Sequence, residues 1–259
     1  MLIDTHAHLT SEEYKDYIDS LIKSLKDNNI EKVFTIGYDL DSSRECVKLA
    51  EKYENIYAII GVHPDDSEKY SDEVEKELEK LAKSHKVIGI GEIGLDYHNN
   101  PPETKGRQRE VFVRQMQLAN KLELPIVIHN RDSIGDCLSI LKENKHLLNK
   151  SGIIHCFSES YESYKEIKRL GLKIAFGGNL TFKNAVNGPK VAIMCDIEDV
   201  VFETDCPYLT PVPHRGLFPN EPKYICHVAE KFAELKQMSV DEVINKTTEN
   251  VYKLFKLGE

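Results

Sequence analysis

Histidines and carboxylates recur in this sequence at positions a folded chain can gather. His6 and His8 form a His-x-His pair near the start, and Glu203 and Asp205 repeat that two-residue spacing near the other end. Between them His63, Glu92, His129 and His155 each lie at or just beyond the end of a short aliphatic run. Residues two apart on a strand share a face, so each pair can point its donors at one place. Imidazole plus carboxylate, with no thiolate required, is a donor set suited to Zn²⁺, Mn²⁺ or a similar ion. The chemistry this allows is metal-assisted hydrolysis. One histidine at a strand end more often packs or hydrogen-bonds than ligates, and a single His-x-His is a weak signal. Burying this many ionisable groups together without a cation would leave charges unpaired, at a cost on the order of several kcal/mol each.

Such a gathering needs elements that end at one place. Short apolar runs predict eight strands: Leu2–Asp4, Lys32–Ile36, Tyr57–Val62, Val87–Glu92, Ile126–His129, Gly152–His155, Lys173–Phe176 and Val200–Glu203. Their nearly continuous apolar centres mark strands covered on both faces, as in a parallel sheet. Segments with three- and four-residue apolar spacing alternate with them, including Tyr17, Leu21, Ile22 and Leu25, and Val111, Met116, Leu118 and Leu122. Ser71 to Lys83 is charged but keeps Val74, Leu78 and Leu81 on one stripe, and Asn250 to Phe255 reads as a last helix. Eight alternations allow a closed barrel or an open doubly wound sheet. The candidate donors end the first, fourth, fifth, sixth and eighth strands, which converge at the mouth of a barrel and would be spread along an open edge. The expected fold is therefore α/β, a (β/α)8 TIM barrel forming a single domain over residues 1–259. The Pro- and Gly-containing stretch from Cys206 to Pro222 is the longest expected loop.

The bulk composition narrows the function classes. With 43 acidic and 34 basic residues the formal net charge is −9, which opposes a broad grip on a phosphate backbone and confines any nucleic-acid contact to the mouth. Six cysteines without a CxxC pair fit free thiols in a reducing compartment. The N-terminus is too short and polar for a signal-peptide core, and no apolar run approaches the ~20 residues of a membrane helix. Cytoplasmic location, no membrane and no obligate protein partner are expected.

Six segments carry a family resemblance: Ile3-Asp4-Thr5-His6-Ala7-His8, Gly61-Val62-His63-Pro64, Gly91-Glu92-Ile93-Gly94-Leu95-Asp96-Tyr97, His129-Asn130-Arg131, His155-Cys156-Phe157 and Glu203-Thr204-Asp205-Cys206-Pro207-Tyr208-Leu209. In this order, spanning essentially the whole chain, they resemble the TatD family of metal-dependent deoxyribonucleases, amidohydrolase-like (β/α)8 hydrolases. The resemblance implies that His6, His8, Glu92, His129, His155 and Asp205 hold one or two divalent cations, such as Mg²⁺, Mn²⁺ or Zn²⁺, with Glu92 bridging. It also implies a DNA or oligonucleotide substrate cut at phosphodiester bonds, including trimming from an end.

On that basis Asp205 is the expected residue to hold a cation and orient or deprotonate the attacking water. Glu203 is either its support or an auxiliary base. Arg131 could fork onto a phosphate or pair with Asp132 or a loop carboxylate. His63 could reach a substrate phosphate or leaving group, or make a supporting hydrogen bond. Arg215 is a further phosphate candidate. Tyr208 and Phe157 could stack on a base or simply wall the site. Alternation turns Cys156 and Cys206 away toward the core. His85, His98, His146, His214 and His227 are expected at the surface. Three rival readings share the barrel: an amidohydrolase or lactonase, a small-molecule phosphoesterase, and a nucleic-acid-binding metalloprotein that does not cut. Related amidohydrolases often bridge their cations with a carbamylated lysine on the fourth strand, where this chain has Glu92.

Overall fold

The computed structural model describes residues 1–98 and 100–258. Its eight strands are β1 Leu2–Ala7, β2 Ile30–Ile36, β3 Ile56–Ile60, β4 Val87–Asp96, β5 Ile126–Arg131, β6 Gly152–Ile154, β7 Lys173–Phe176 and β8 Val200–Phe202. They pair in parallel in sequence order. Parallel neighbours in chain order require a crossover each time, and these are helical: α1 Ile18–Ser24, α2 Leu40–Lys52, α3 Asp72–Leu81, α4 Lys105–Leu122, α5 Ile134–Glu143, α6 Tyr161–Arg169 and α7 Asn187–Met194. Two more, α8 Ile225–Lys236 and α9 Val240–Phe255, follow the last strand. The final helix is much longer than the Asn250–Phe255 stretch expected from the sequence, with Ser239 capping its N-terminus.

The ring closes between β1 and the residues just past β8. Asp205 N–H donates to the His6 carbonyl at 2.9 Å, and His8 N–H donates to that of Cys206 at 2.8 Å. Beneath these rungs the buried Asp4 carboxylate accepts from Thr204 N–H at 2.9 Å and Thr204 Oγ1 at 2.6 Å. The same three residues that supply candidate donors therefore also shut the barrel. The fold is the expected (β/α)8 barrel.

Two apolar layers hold it. Inside the ring, Ile3, Phe34, Ile59, Ile88, Val127, Ile153, Ala175 and Val201 take one position from each strand, and Val251 and Phe255 of α9 pack against them. Outside, the opposite strand faces pack on the helices in a larger cluster. Strict alternation from Ile3 would turn His6 outward. A register shift between Asp4 and Ala7 re-phases β1 so that His6 faces the mouth.

Helix α4 indexes the mouth through two buried glutamines spaced two turns apart. Gln108 accepts from Asp96 N–H at 2.9 Å and donates to Asp96 O at 3.0 Å. Gln115 does the same for Val62, at 2.8 Å each way. A β4–β5 contact leaves no room for a side chain at Gly94, where a Cβ would fall 2.0 Å from the His129 carbonyl oxygen. Replacing Gln108 with alanine removes both of its bonds to the buried Asp96 backbone, whose carbonyl also accepts from Asn100 Nδ2 at 3.3 Å. Urea denaturation is expected to show unfolding free energy lower by about 1–3 kcal/mol. An unchanged midpoint would mean that water or a shifted backbone takes over both bonds.

Candidate metal centre

Each donor at the mouth is delivered by a strand end. His6 and His8 come from the end of β1, Glu92 from within β4, and His129 from β5. His155 follows β6, and Asp205 lies three residues beyond β8 in a left-handed backbone conformation, φ 55°. Glu92 sits at the centre. Its Oε2 lies 3.4 Å from His6 Nε2 and 3.9 Å from His8 Nε2. Its Oε1 lies 2.7 Å from both His129 Nδ1 and His155 Nε2, and 3.8 Å from His63 Nε2. Asp205 Oδ1 approaches the first set, 3.8 Å from His6 Nε2 and 3.6 Å from His8 Nε2. One carboxylate thus turns one oxygen to each of two imidazole groups.

Partners behind the rings set which nitrogen faces inward. His8 Nδ1–H donates to the Ile36 carbonyl at 3.3 Å, leaving Nε2 toward Asp205. His129 Nε2 meets Asp96 Oδ2 at 3.0 Å, leaving Nδ1 toward Glu92. His155 Nδ1 stands 3.5 Å from Glu203 Oε1, which also accepts from Cys156 N–H at 2.5 Å. Carboxylates and carbonyls behind metal-binding imidazoles fix tautomer and ring orientation in this way.

The charges follow from the distances. Burial would raise the Glu92 carboxyl, but the charges of His155 and His6 and the hydrogen bonds of His129 and His155 hold it well below its ordinary value. Burial opposes protonation of His155, yet the Glu92 and Glu203 carboxylates raise it well above the usual histidine range. His129 and His8 are raised likewise, against burial, by Asp96 and Glu92 for the first and Asp205 for the second. His6 goes the other way: burial, then the charge of the stacked His155 ring 4.1 Å away, keeps it neutral with a lone pair free. Among the described residues neither buried His6 nitrogen has a hydrogen-bond partner. Buried polar atoms are rarely left unpaired, and a divalent cation accepts such lone pairs. Three overlapping donor groups at the mouth, His6–His8–Asp205, His63–Glu92–His129 and His6–His155–Glu203, each bring ligand atoms within 4.8 Å of one another. The residues fit one or two cations.

Known proteins place this arrangement. A profile described as TatD related DNase matches residues 3–256. The chain belongs to the TatD family. It is similar to the metal-dependent hydrolase YabD of Bacillus subtilis strain 168, at 41% identity over 100% of both chains. The metal-dependent hydrolase YcfH of Escherichia coli strain K12 is 34% identical over 98% of this chain and 95% of its own length. The crystal structure of YjjV, a TatD homologue from Escherichia coli K12, superposes with a TM-score of 0.92 at 28% identity, covering 99% of this chain and 98% of that one. Family and donor set agree on divalent-cation-dependent hydrolysis as the class of chemistry.

Around the donors of this TatD-family chain, several expected residues take definite positions. His63 reaches the mouth, its ring 4.4 Å from that of His129. Its Nδ1 accepts from Asp65 N–H at 3.2 Å, so the neutral ring carries its proton on Nε2, facing Glu92. Burial pushes its pKa down to about 4. Arg131 shares the inward face of β5 with His129, is exposed, and has no ion pair among the described residues; Asp132 pairs with His98 at 2.8 Å. Arg215 lies exposed in the long loop with its guanidinium 4.0 Å above the Phe182 ring. That loop, 206–221, has no helix or strand; Asn220 staples it by donating to the Thr204 carbonyl at 3.1 Å.

One expectation needs correction. Cys156 is not a core residue: β6 stops at Ile154, alternation ends there, and the left-handed backbone at Cys156, φ 49°, turns its thiol to the site margin. Asn179 Nδ2 donates to that thiol at 3.4 Å. Burial, then the charges of Asp205, Glu203 and Glu92, push the Cys156 thiol well above its ordinary pKa. Of the two readings open for Phe157, wall packing holds: it is 2% exposed and packs on Phe176. Cys206 is core, as expected. His85, His98 and His146 are exposed, whereas His214 and His227 are half-buried against each other. Sequence reading missed Asp96, whose even spacing from Glu92 along one strand was the available signal. It also missed Tyr38, whose exposed ring faces His8 opposite Tyr208, each 6.2 Å from the imidazole.

Cation uptake must expel ring protons from His155, His129 and His8. Adding Zn²⁺ to chelator-treated protein near neutral pH should acidify the solution, measured by titration at fixed pH. Apparent affinity should rise with pH through the raised histidine range, because protonated rings cannot ligate. Proton-neutral uptake would contradict the charge assignment.

Proposed function

We propose that this chain is a divalent-cation-dependent deoxyribonuclease that hydrolyses DNA phosphodiester bonds and trims strands from an end, working as one barrel domain. The observation that carries the reading is the Glu92 carboxylate, with one oxygen facing His6 and His8 and the other facing His129 and His155. In this assignment His6, His8, Glu92, His129, His155 and Asp205 would hold one or two cations. Bound cations supply polarisation of the phosphoryl group and acidify the attacking water toward neutrality.

The chain's own residues do the rest. Asp205, half-buried and held below its ordinary pKa, first against burial and then by His8, His155 and His6, stays ionised to orient the water and take its proton. Glu203 is fully buried and committed to His155 and the Cys156 amide, which favours support over a direct role as base. His63 offers an Nε2–H donor to a phosphoryl or leaving-group oxygen. Arg131, exposed beside His129, can take a phosphate through two parallel hydrogen bonds, and Arg215 can take one farther along the strand. The exposed rings of Tyr38 and Tyr208, 44% and 55% accessible, flank His8 where a terminal base could stack. The net charge of −9 keeps such contacts local. Six free thiols suit a reducing cytoplasm.

A single-stranded oligonucleotide, a phosphomonoester and an amide, each tested with Mg²⁺, Mn²⁺ and Zn²⁺, separate the rival readings. Cleavage of the oligonucleotide that stops on chelation is expected. Turnover of only the phosphomonoester or amide would overturn the proposal, as would tight, salt-sensitive DNA binding without cleavage. Asp205→Asn should lower kcat by about a hundredfold or more at saturating cation. A variant with wild-type turnover would remove Asp205 from this role.

A further inference from the structure

A second cluster of ligating side chains lies away from the centre described above, where the long loop after β8 meets the start of α8. Cys226, His227 and Glu230 present Sγ, a ring nitrogen and a carboxylate oxygen within 4.8 Å of one another. His214, from the loop, brings its ring to 5.1 Å from that of His227, centroid to centroid. We propose that these four residues form a binding site for a zinc-like dication, independent of the catalytic one.

The chemistry of the set favours such an ion. Cys226 and Glu230 each contribute one negative charge and the two imidazoles are neutral donors, so a dication leaves the site neutral. One thiolate, two imidazoles and one carboxylate form a tetrahedral set of the kind Zn²⁺ takes. A thiolate selects against Mg²⁺ and Ca²⁺, which prefer oxygen. Tetrahedral Zn²⁺ places ligand atoms about 3.4–3.8 Å apart, so shifts of roughly an ångström close the Cys226–His227–Glu230 group, and His214 must turn its ring toward it. Binding would replace modest contacts: the Cys226 thiol donates to the Lys223 carbonyl at 3.3 Å, His227 Nδ1 pairs with the exposed Glu230 at 2.9 Å, and the His214 ring packs on Tyr224 at 4.5 Å. The adjacent Lys223 ammonium is occupied by Glu221 at 2.7 Å. The positive end of the α8 dipole opposes a cation here, and the two anionic donors offset it.

Binding forms a metal–sulfur bond and breaks the Cys226 S–H bond, with the proton passing to water and no redox change. Half-burial raises that thiol's pKa, so the free thiol is unreactive until a metal displaces its proton. The consequence for the fold is a clasp. Leu217 N–H donates to the His214 carbonyl at 3.0 Å, so a cation on His214 would anchor to α8 the turn that presents Arg215.

Co²⁺ is the probe, because the catalytic donors are nitrogen and oxygen only, whereas this site adds sulfur. Chelator-treated full-length protein titrated with Co²⁺ should develop thiolate-to-cobalt charge-transfer absorption. Cys226→Ser should abolish the band and Cys156→Ser should keep it. His227→Ala and His214→Ala, each on folded protein by circular dichroism, should weaken the affinity behind that band at least tenfold. Absence of the band at saturating Co²⁺, its survival in Cys226→Ser, or its loss only in Cys156→Ser would overturn the proposal. These readouts do not depend on DNA cleavage.

Discussion

A buried carboxylate cannot stand alone in a protein interior, and Glu92 is the buried charge around which this mouth is organised. Only 4% of it is accessible, and imidazoles from four other segments surround its two oxygens. Desolvation by itself would protonate such a group. The neighbouring histidines reverse that outcome, and in doing so they acquire protons a cation can displace. Protons and dications compete for one set of lone pairs, which makes the cluster both a stable electrostatic unit and a metal centre.

The barrel is the device that supplies those partners. Five histidines and two acids separated by up to 199 positions meet because parallel strands present their C-terminal ends on one side. The supports are shared with the fold itself. Asp205 and His6 close the ring through their backbone, Asp4 braces that closure through Thr204, and Gln108 holds Asp96, which in turn holds His129. Stability and site geometry therefore depend on the same hydrogen bonds, so damage to one should be felt by the other.

Beyond the cations, the mouth is asymmetric. Arg131 is exposed on β5 and Arg215 rides on the post-β8 loop, while the Tyr38 and Tyr208 rings each lie 6.2 Å from that of His8. A polyanion with flat bases suits such a rim, even on a chain of net charge −9, because positive charge is local to the site. The Cys226–His227–Glu230 cluster with His214 lies where that loop, which also carries Arg215, meets α8.

The residue pattern alone determined that strands and helices alternate, that the strands are buried on both faces, and that the donors converge: apolar runs, amphipathic stripes and even spacing are local and periodic. It also determined the family, through motifs whose order spans the chain. Strand ends proved less legible. β4 runs on to Asp96, beyond the Glu92 boundary that a charged residue suggests, because a β5 neighbour continues the ladder to Arg131. His6 faces the mouth only because β1 shifts register, and Cys156 turns to the site because its backbone is left-handed; neither shift has a periodic signature. Which nitrogen of His129 points inward, which partner Asp132 takes, and how Glu203 is occupied were decided by contacts between residues far apart in the chain. Periodicity reports the face a residue takes on its own element, whereas partners across elements depend on register and distance that only the folded chain sets.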